Sequence, residues 1–144
     1  MKKLGLFACL MMLFIFSASA QTGIIGTWKS IDDETGEAKS HVKVYQDGGV
    51  VYGKIVKILT DKGDDAICEA CKGARKNQPV KGMVIIEKMK KGEIRWQGGT
   101  ILDPESGNTY GCALWNPVGK NDVLKVRGKH WTEFYRTQTW YRVK

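Results

Sequence analysis

The chain has 144 residues, a formal net charge of +8 and four cysteines. That length allows one domain and not two. Its 23 Lys and Arg residues are scattered over turns and β-rich runs instead of clustering on one element, which argues against a nucleic-acid partner and reads as a solvated basic surface.

The N-terminus carries Lys2 and Lys3, an apolar run from Leu4 to Phe16, and Ala18-Ser19-Ala20 before Gln21. This is the pattern of a secretory signal peptide over residues 1–20. The apolar run is too short to cross a bilayer, which takes about 20 residues. The segment Leu6-Phe7-Ala8-Cys9 faintly resembles a lipoprotein cleavage box, but a cut there would leave almost no hydrophobic region. The expected mature chain is therefore residues 21–144, a single domain exported to the periplasm or beyond. It has no stable membrane insertion after cleavage and is expected to be a monomer. Cys9 leaves with the signal peptide, so Cys68, Cys71 and Cys112 remain.

Eight short β-rich runs follow, over 26–31, 39–46, 50–59, 82–89, 93–102, 109–115, 122–128 and 135–143. Asp47-Gly48-Gly49 between two β-branched runs is a strong hairpin signal. Asp103-Pro104 with a late Gly107 suits a type I turn closed by a left-handed residue. Val42 and Val44 alternate with His41, Lys43 and Tyr45, and Leu124 and Val126 alternate with Lys125 and Arg127. Side chains on a strand point to opposite faces in turn, so one face is dry and one wet. Gly98-Gly99 inside the fifth run marks a bulge or a sharp bend. No run shows a helical period. Eight antiparallel strands with short links predict an all-β, up-and-down barrel, which removes its own edges by closing. A barrel of that size holds packed side chains or one small ligand. One long loop, about 60–81, interrupts the meander and carries Cys68 and Cys71.

Gly26-Thr27-Trp28-Lys29 is similar to the opening of lipocalins and fatty-acid-binding proteins. In the former, the tryptophan closes one barrel end under an arginine of the last strand. The resemblance gives Gly26, Trp28 and Arg142 (or Arg136) this structural part. Fatty-acid-binding proteins grip a carboxylate with an R-x-Y strand; this chain has Arg136-x-Gln138, a departure from that pattern. A broader resemblance covers nearly all of residues 21–144. The ordered motifs are Gly-Thr-Trp, Cys68-x-x-Cys71-Lys72-Gly73, Gly98-Gly99-Thr100-Ile101-Leu102-Asp103-Pro104-x-x-Gly107, Leu124-Lys125-Val126-Arg127-Gly128 and Arg136-Thr137-Gln138-Thr139-Trp140. Together they resemble a bacterial family known as domain of unknown function 2147. The resemblance implies an exported, lipocalin-like chain with no assigned biochemical role.

Three readings of the cysteines compete. A redox pair needs a helix N-terminus after a strand, and no βαβ pattern is present. A zinc set would need the three cysteines plus His41 or His130. A disulfide suits an oxidising compartment. Cys68–Cys71 is the expected pair because proximity is guaranteed. A bridge from the loop to Cys112 would close a longer segment and stabilise more.

Enzyme motifs are missing: there is no G-x-S-x-G, no H-E-x-x-H and no Gly-rich phosphate loop. Asp32, Asp33 and Glu34 read as solvated acids of a hairpin turn. The chain is expected to be no enzyme, to need no cofactor or metal, and to bind a small hydrophobic or lipid-like ligand. Trp96, Tyr110 and Trp140 would supply apolar area and Arg136 one orienting charge. The alternative is a structural or interaction protein of the cell envelope, with those aromatics filling the barrel.

Overall fold

Eight strands follow one another around a closed antiparallel barrel, each bonded to its neighbour in sequence. They are β1 (Gly26–Ile31), β2 (Ala38–Asp47), β3 (Val50–Ile58), β4 (Val84–Lys91), β5 (Trp96–Leu102), β6 (Thr109–Trp115), β7 (Val123–Lys129) and β8 (Tyr135–Arg142). The computed structural model describes residues 23–130, 132 and 134–144. The signal peptide expected over 1–20 lies outside them. β1 pairs β8 at Trp28 with Arg142 and at Lys29 with Tyr141, which closes the cylinder.

The alternation in the sequence becomes the inside and outside of this wall. Val42 and Val44 on β2, Leu114 on β6, Leu124 and Val126 on β7 and Trp140 on β8 are buried in one core with Trp28. Gly98 has φ +77° and sits in the register shift between Trp96 and Gly99, the bulge expected there. A Cβ on Gly99 would lie 2.1 Å from the Glu87 carbonyl oxygen, so β4 and β5 approach closely only because this position has no side chain.

In an up-and-down barrel the connections alternate between ends. The β1–β2, β3–β4, β5–β6 and β7–β8 links share one end, and the two chain termini lie at the other. Trp28 closes the terminal end. Its ring is fully buried, and its indole N–H donates to the Ile24 carbonyl at 2.8 Å. The Arg142 guanidinium lies 4.2 Å from the Trp28 ring centroid. It donates to the carbonyls of Ile25, Gly23 and Asn121.

The long cysteine loop folds back on itself. Ile67 bridges Pro79, and Cys68 N–H donates to the Gln78 carbonyl while Asn77 N–H donates to that of Cys68. A 3-10 turn covers Gly73–Arg75. Cys68 and Cys71 are joined, with Cα atoms 5.3 Å apart, and both are buried. Cys112 remains a free thiol inside the β6 wall, and burial pushes it up to about 12, which keeps it protonated.

Candidate functional site: the barrel mouth

Opposite the Trp28 end the barrel opens into a cavity of about 470 Å3. Its depth is apolar, with Ile55, Ile85, Ile101, Val126 and Trp140 on the walls. All four links of that end reach it: Asp32 from β1–β2, Ala66, Ile67 and Val80 from the cysteine loop, Pro104 from β5–β6, and His130 and Phe134 from β7–β8. Ile67 and Phe134 are exposed at the rim, so apolar surface continues from the lumen to the outside. The Cys68 sulfur lies 3.3 Å from the Pro104 carbonyl oxygen, which seats the stapled loop against the β5–β6 turn.

The rim is polar and paired. Arg136 Nε donates to Asp33 Oδ2 at 3.1 Å, and its terminal nitrogen donates to Asp33 Oδ1. Gln138 Nε2 donates to the same Oδ1 at 3.3 Å, and Trp140 Nε1 donates to Gln138 Oε1 at 2.9 Å. Glu34 stands 3.3 Å from the remaining Arg136 nitrogen. The order follows from strand geometry: Arg136, Gln138 and Trp140 alternate along β8, so all three face inward. Asp32 caps its own turn, accepting from the Glu34 and Thr35 amides. Lys39 stands 3.5 Å from Glu105 and 3.6 Å from Glu37. Deeper in, the buried Ser30 and Ser40 hydroxyls bond each other at 2.9 Å.

Three of the four residues expected at a ligand site, Tyr110, Arg136 and Trp140, line the cavity, and Trp96 does not. Trp96 pairs with Leu114 and Lys91 at the start of β5, toward the terminal end. The strand that carries it points its ring into the filled half of the barrel. Arg136 is no isolated orienting charge either, since a carboxylate of the chain already occupies its fork. The turn acids therefore differ in kind: Asp32 serves its turn, whereas Asp33 reaches across to β8. Among the described residues, no group of three or more His, Cys, Asp or Glu side chains is arranged to hold a metal ion.

Residues 26–142 match the family described as "Uncharacterized protein conserved in bacteria (DUF2147)". The chain belongs to this DUF2147 family. No curated protein matches it. Among solved structures it is similar to protein HP1028 of Helicobacter pylori, which is described as belonging to the lipocalin family. The identity is 18%, the TM-score 0.70, and the match covers 83% of this chain and 82% of that one. At that identity the likeness shows the fold, and this DUF2147 chain has a lipocalin-like barrel.

The Asp33–Arg136 pair of this DUF2147 member has a pH signature. The Arg136 hydrogen bonds hold the Asp33 carboxyl below its usual value against the opposing pull of burial, with Gln138 adding to the effect. A carboxyl depressed in the folded state adds stability that is present above its unfolded value near 4 and is lost as pH falls through the folded value. Melting temperatures of the unaltered chain and Asp33→Asn should therefore differ most at neutral pH. The gap should close below about pH 4. A gap independent of pH would mean that the pair contributes nothing through its charge.

Proposed function

We propose that this DUF2147 barrel carries one small, apolar or amphipathic molecule in the mouth cavity, as a non-enzymatic binding protein of the exported compartment. The observation that carries the reading is an apolar lumen of about 470 Å3 whose apolar surface continues outward at Ile67 and Phe134, between the paired polar groups of the rim. Ligand sites of this size are concave and mostly apolar, with a few placed polar groups. The lipocalin-like fold supports the same class of ligand. The paired state of Arg136 and Lys39 narrows it. A fatty acid carboxylate would have to displace Asp33 from Arg136, so an uncharged head group such as an alcohol, ester or amide fits better. Tyr110, Gln138 and the Ser30–Ser40 pair are among the polar residues of the lining that such a head could meet.

The test uses Val126, which is 2% exposed and faces the cavity from the middle of β7. Phenylalanine there would project a ring into the space a ligand needs, at an overpacking cost of typically about 1–3 kcal/mol. N-phenyl-1-naphthylamine, an uncharged apolar dye, should bind the unaltered chain. It should bind Val126→Phe at least about tenfold more weakly, as expected for a filled pocket. Native mass spectrometry of gently extracted protein should show a co-purifying lipid-sized adduct. An identical dye titration for both proteins, or no dye binding together with a bare mass, would sink the carrier reading and leave the interaction protein in its place.

A further inference from the structure

The wall of the barrel carries a second feature that shares no residue with the cavity. Across β1, β2 and β3 the register places Lys29 opposite His41 and His41 opposite Lys57. One row further on, Lys43 stands opposite Lys54. These residues alternate with the buried Trp28, Val42, Val44 and Ile55, so they share the outer face. Lys57 reaches that face because β3 carries a bulge: Val42 pairs Ile55 and His41 pairs Lys57, with Val56 as the extra residue. A strand without it would turn Lys57 inward, since one added residue flips every later side chain.

Like charges directly opposite on a sheet destabilise it, and side chains in such pairs are only about 5 Å apart. Among the described residues no carboxylate offsets this arrangement by an ion pair with any of the four lysines. Asp47, at the end of β2, is the only carboxylate on the three strands. Burial first, and then the Lys57 and Lys29 ammoniums, push the His41 imidazole below its usual value, so it adds no fixed charge to the row. Tyrosines interleave with the cations. Tyr45 and Tyr52 stack at 5.8 Å with the Lys54 ammonium 6.0 Å from the Tyr45 ring, and Tyr141, half exposed, pairs beside Lys29.

We infer that the outer face of β1–β3, with Lys29, Lys43, Lys54 and Lys57, is a docking surface for an anionic phospholipid bilayer. The fixed cations of this face are all lysines, and a lysine is a hydrated point charge suited to a fluid, negatively charged plane. The guanidinium forks that read phosphates of nucleic acid two bonds at a time are absent from it. Tyrosine, apolar in its ring and polar at its tip, is a side chain of membrane–water interfaces. The convex wall meets a plane without needing a groove. Contact is peripheral, so the barrel adsorbs without inserting.

The probe is a vesicle of phosphatidylcholine containing phosphatidylglycerol, compared with phosphatidylcholine alone, in a sedimentation assay on the full exported chain. The first variant combines Lys29→Gln, Lys43→Gln and Lys57→Gln. The second removes the same charge from exposed positions elsewhere, with Lys72→Gln, Lys120→Gln and Lys144→Gln. The unaltered chain should bind the anionic vesicles only. Each lysine near an anionic surface contributes enough that losing three should weaken binding by about a hundredfold. The second variant should lose only a few-fold, and salt that shortens screening to about 3 Å should release all three proteins. The first variant should melt no lower than the unaltered chain, because it removes opposed like charges. Should it melt early, the single Lys43→Gln, an exposed side chain, repeats the comparison at about a fivefold loss. Equal losses for the two triple variants, no preference for anionic vesicles, or binding only to dextran sulfate or to a DNA duplex would overturn the inference.

Discussion

Trp28→Ala should lower the stability of the barrel by about 3–5 kcal/mol, the cost of emptying a buried indole site. For a domain of this size, that corresponds to a fall in melting temperature of roughly 10–20 °C. Three losses add up. The ring is fully buried among Val42, Leu124 and the rest of the core, so its removal leaves a cavity. Its N–H no longer holds Ile24, the residue that leads into β1. The stacked Arg142 loses its aromatic partner, a contribution of about 0.5–2 kcal/mol in a desolvated setting. Burial already pulls the Arg142 guanidinium below its usual value, with Asp122 opposing, so this cation sits where water serves it poorly. Arg142→Met should cost less than Trp28→Ala, because the methionine keeps most of the apolar cover. The double variant should cost less than the sum of the two, since they share one contact. Chemical denaturation of the four proteins measures this. Simple additivity would mean that the cation and the ring are independent, and the lid on the terminal end would then be hydrophobic packing alone. Dye binding at the other end should persist in whatever Trp28→Ala protein remains folded, because Trp28 does not line the mouth cavity.

How much of this was legible in the sequence depended on the range of the interaction involved. Strand identity is local, and β-rich runs bounded by turn signals located all eight strands to within three residues at every boundary. For β4, where both bounds moved, a short-range reason is visible. β4 was expected at 82–89 and runs from Val84 to Lys91. Gly82 adopts φ +88° and gives its N–H to Ile55, which delays the start. Lys90 and Lys91 find partners in Gln97 and Trp96 and prolong the end despite their charge. The Cys68–Cys71 pairing was readable because two intervening residues guarantee proximity. The mouth was not readable. Alternation reports which face is dry, and a dry face can surround either side chains or empty space. Asp33 meets Arg136 across 103 positions of sequence, a contact that exists only once the barrel has closed. Trp96 illustrates the same limit. It faces inward as its pattern requires, but its height along the barrel axis, which separates it from the cavity, is set by strand stagger and by the Gly98 bulge.

The loop and the mouth are joined at Gly107, and a single methyl group there should part them. Gly107 lies in the β5–β6 turn at φ +71°, and a Cβ on it would stand 2.0 Å from the Ala70 carbonyl oxygen and 3.0 Å from the Cys71 amide. Those atoms are backbone, in a segment fixed by the disulfide and by the Cys68–Gln78 and Asn77–Cys68 hydrogen bonds. They cannot rotate aside as a side chain would, so the loop has to lift from the turn. Gly36→Ala is the control. Gly36 has nearly the same backbone, φ +74°, with nothing within 4 Å of its Cβ. It should cost only the left-handed strain of an alanine, about 1–2 kcal/mol. Gly107→Ala should cost that strain plus a displacement of similar size, together about 2–4 kcal/mol. Because Ala66, Ile67 and Val80 of the lifted loop form one wall of the cavity, this variant should also bind the apolar dye more weakly, and Gly36→Ala should not. Hydrogen exchange at Cys68, Asn77 and Val80 separates two outcomes. Faster exchange at all three would mean that the loop has come apart. Unchanged exchange with weaker dye binding would mean that it has moved as one stapled body, which is what its internal bonds favour. Equal costs for the two glycines, with dye binding intact in both, would show that the loop does not bear on the mouth at all.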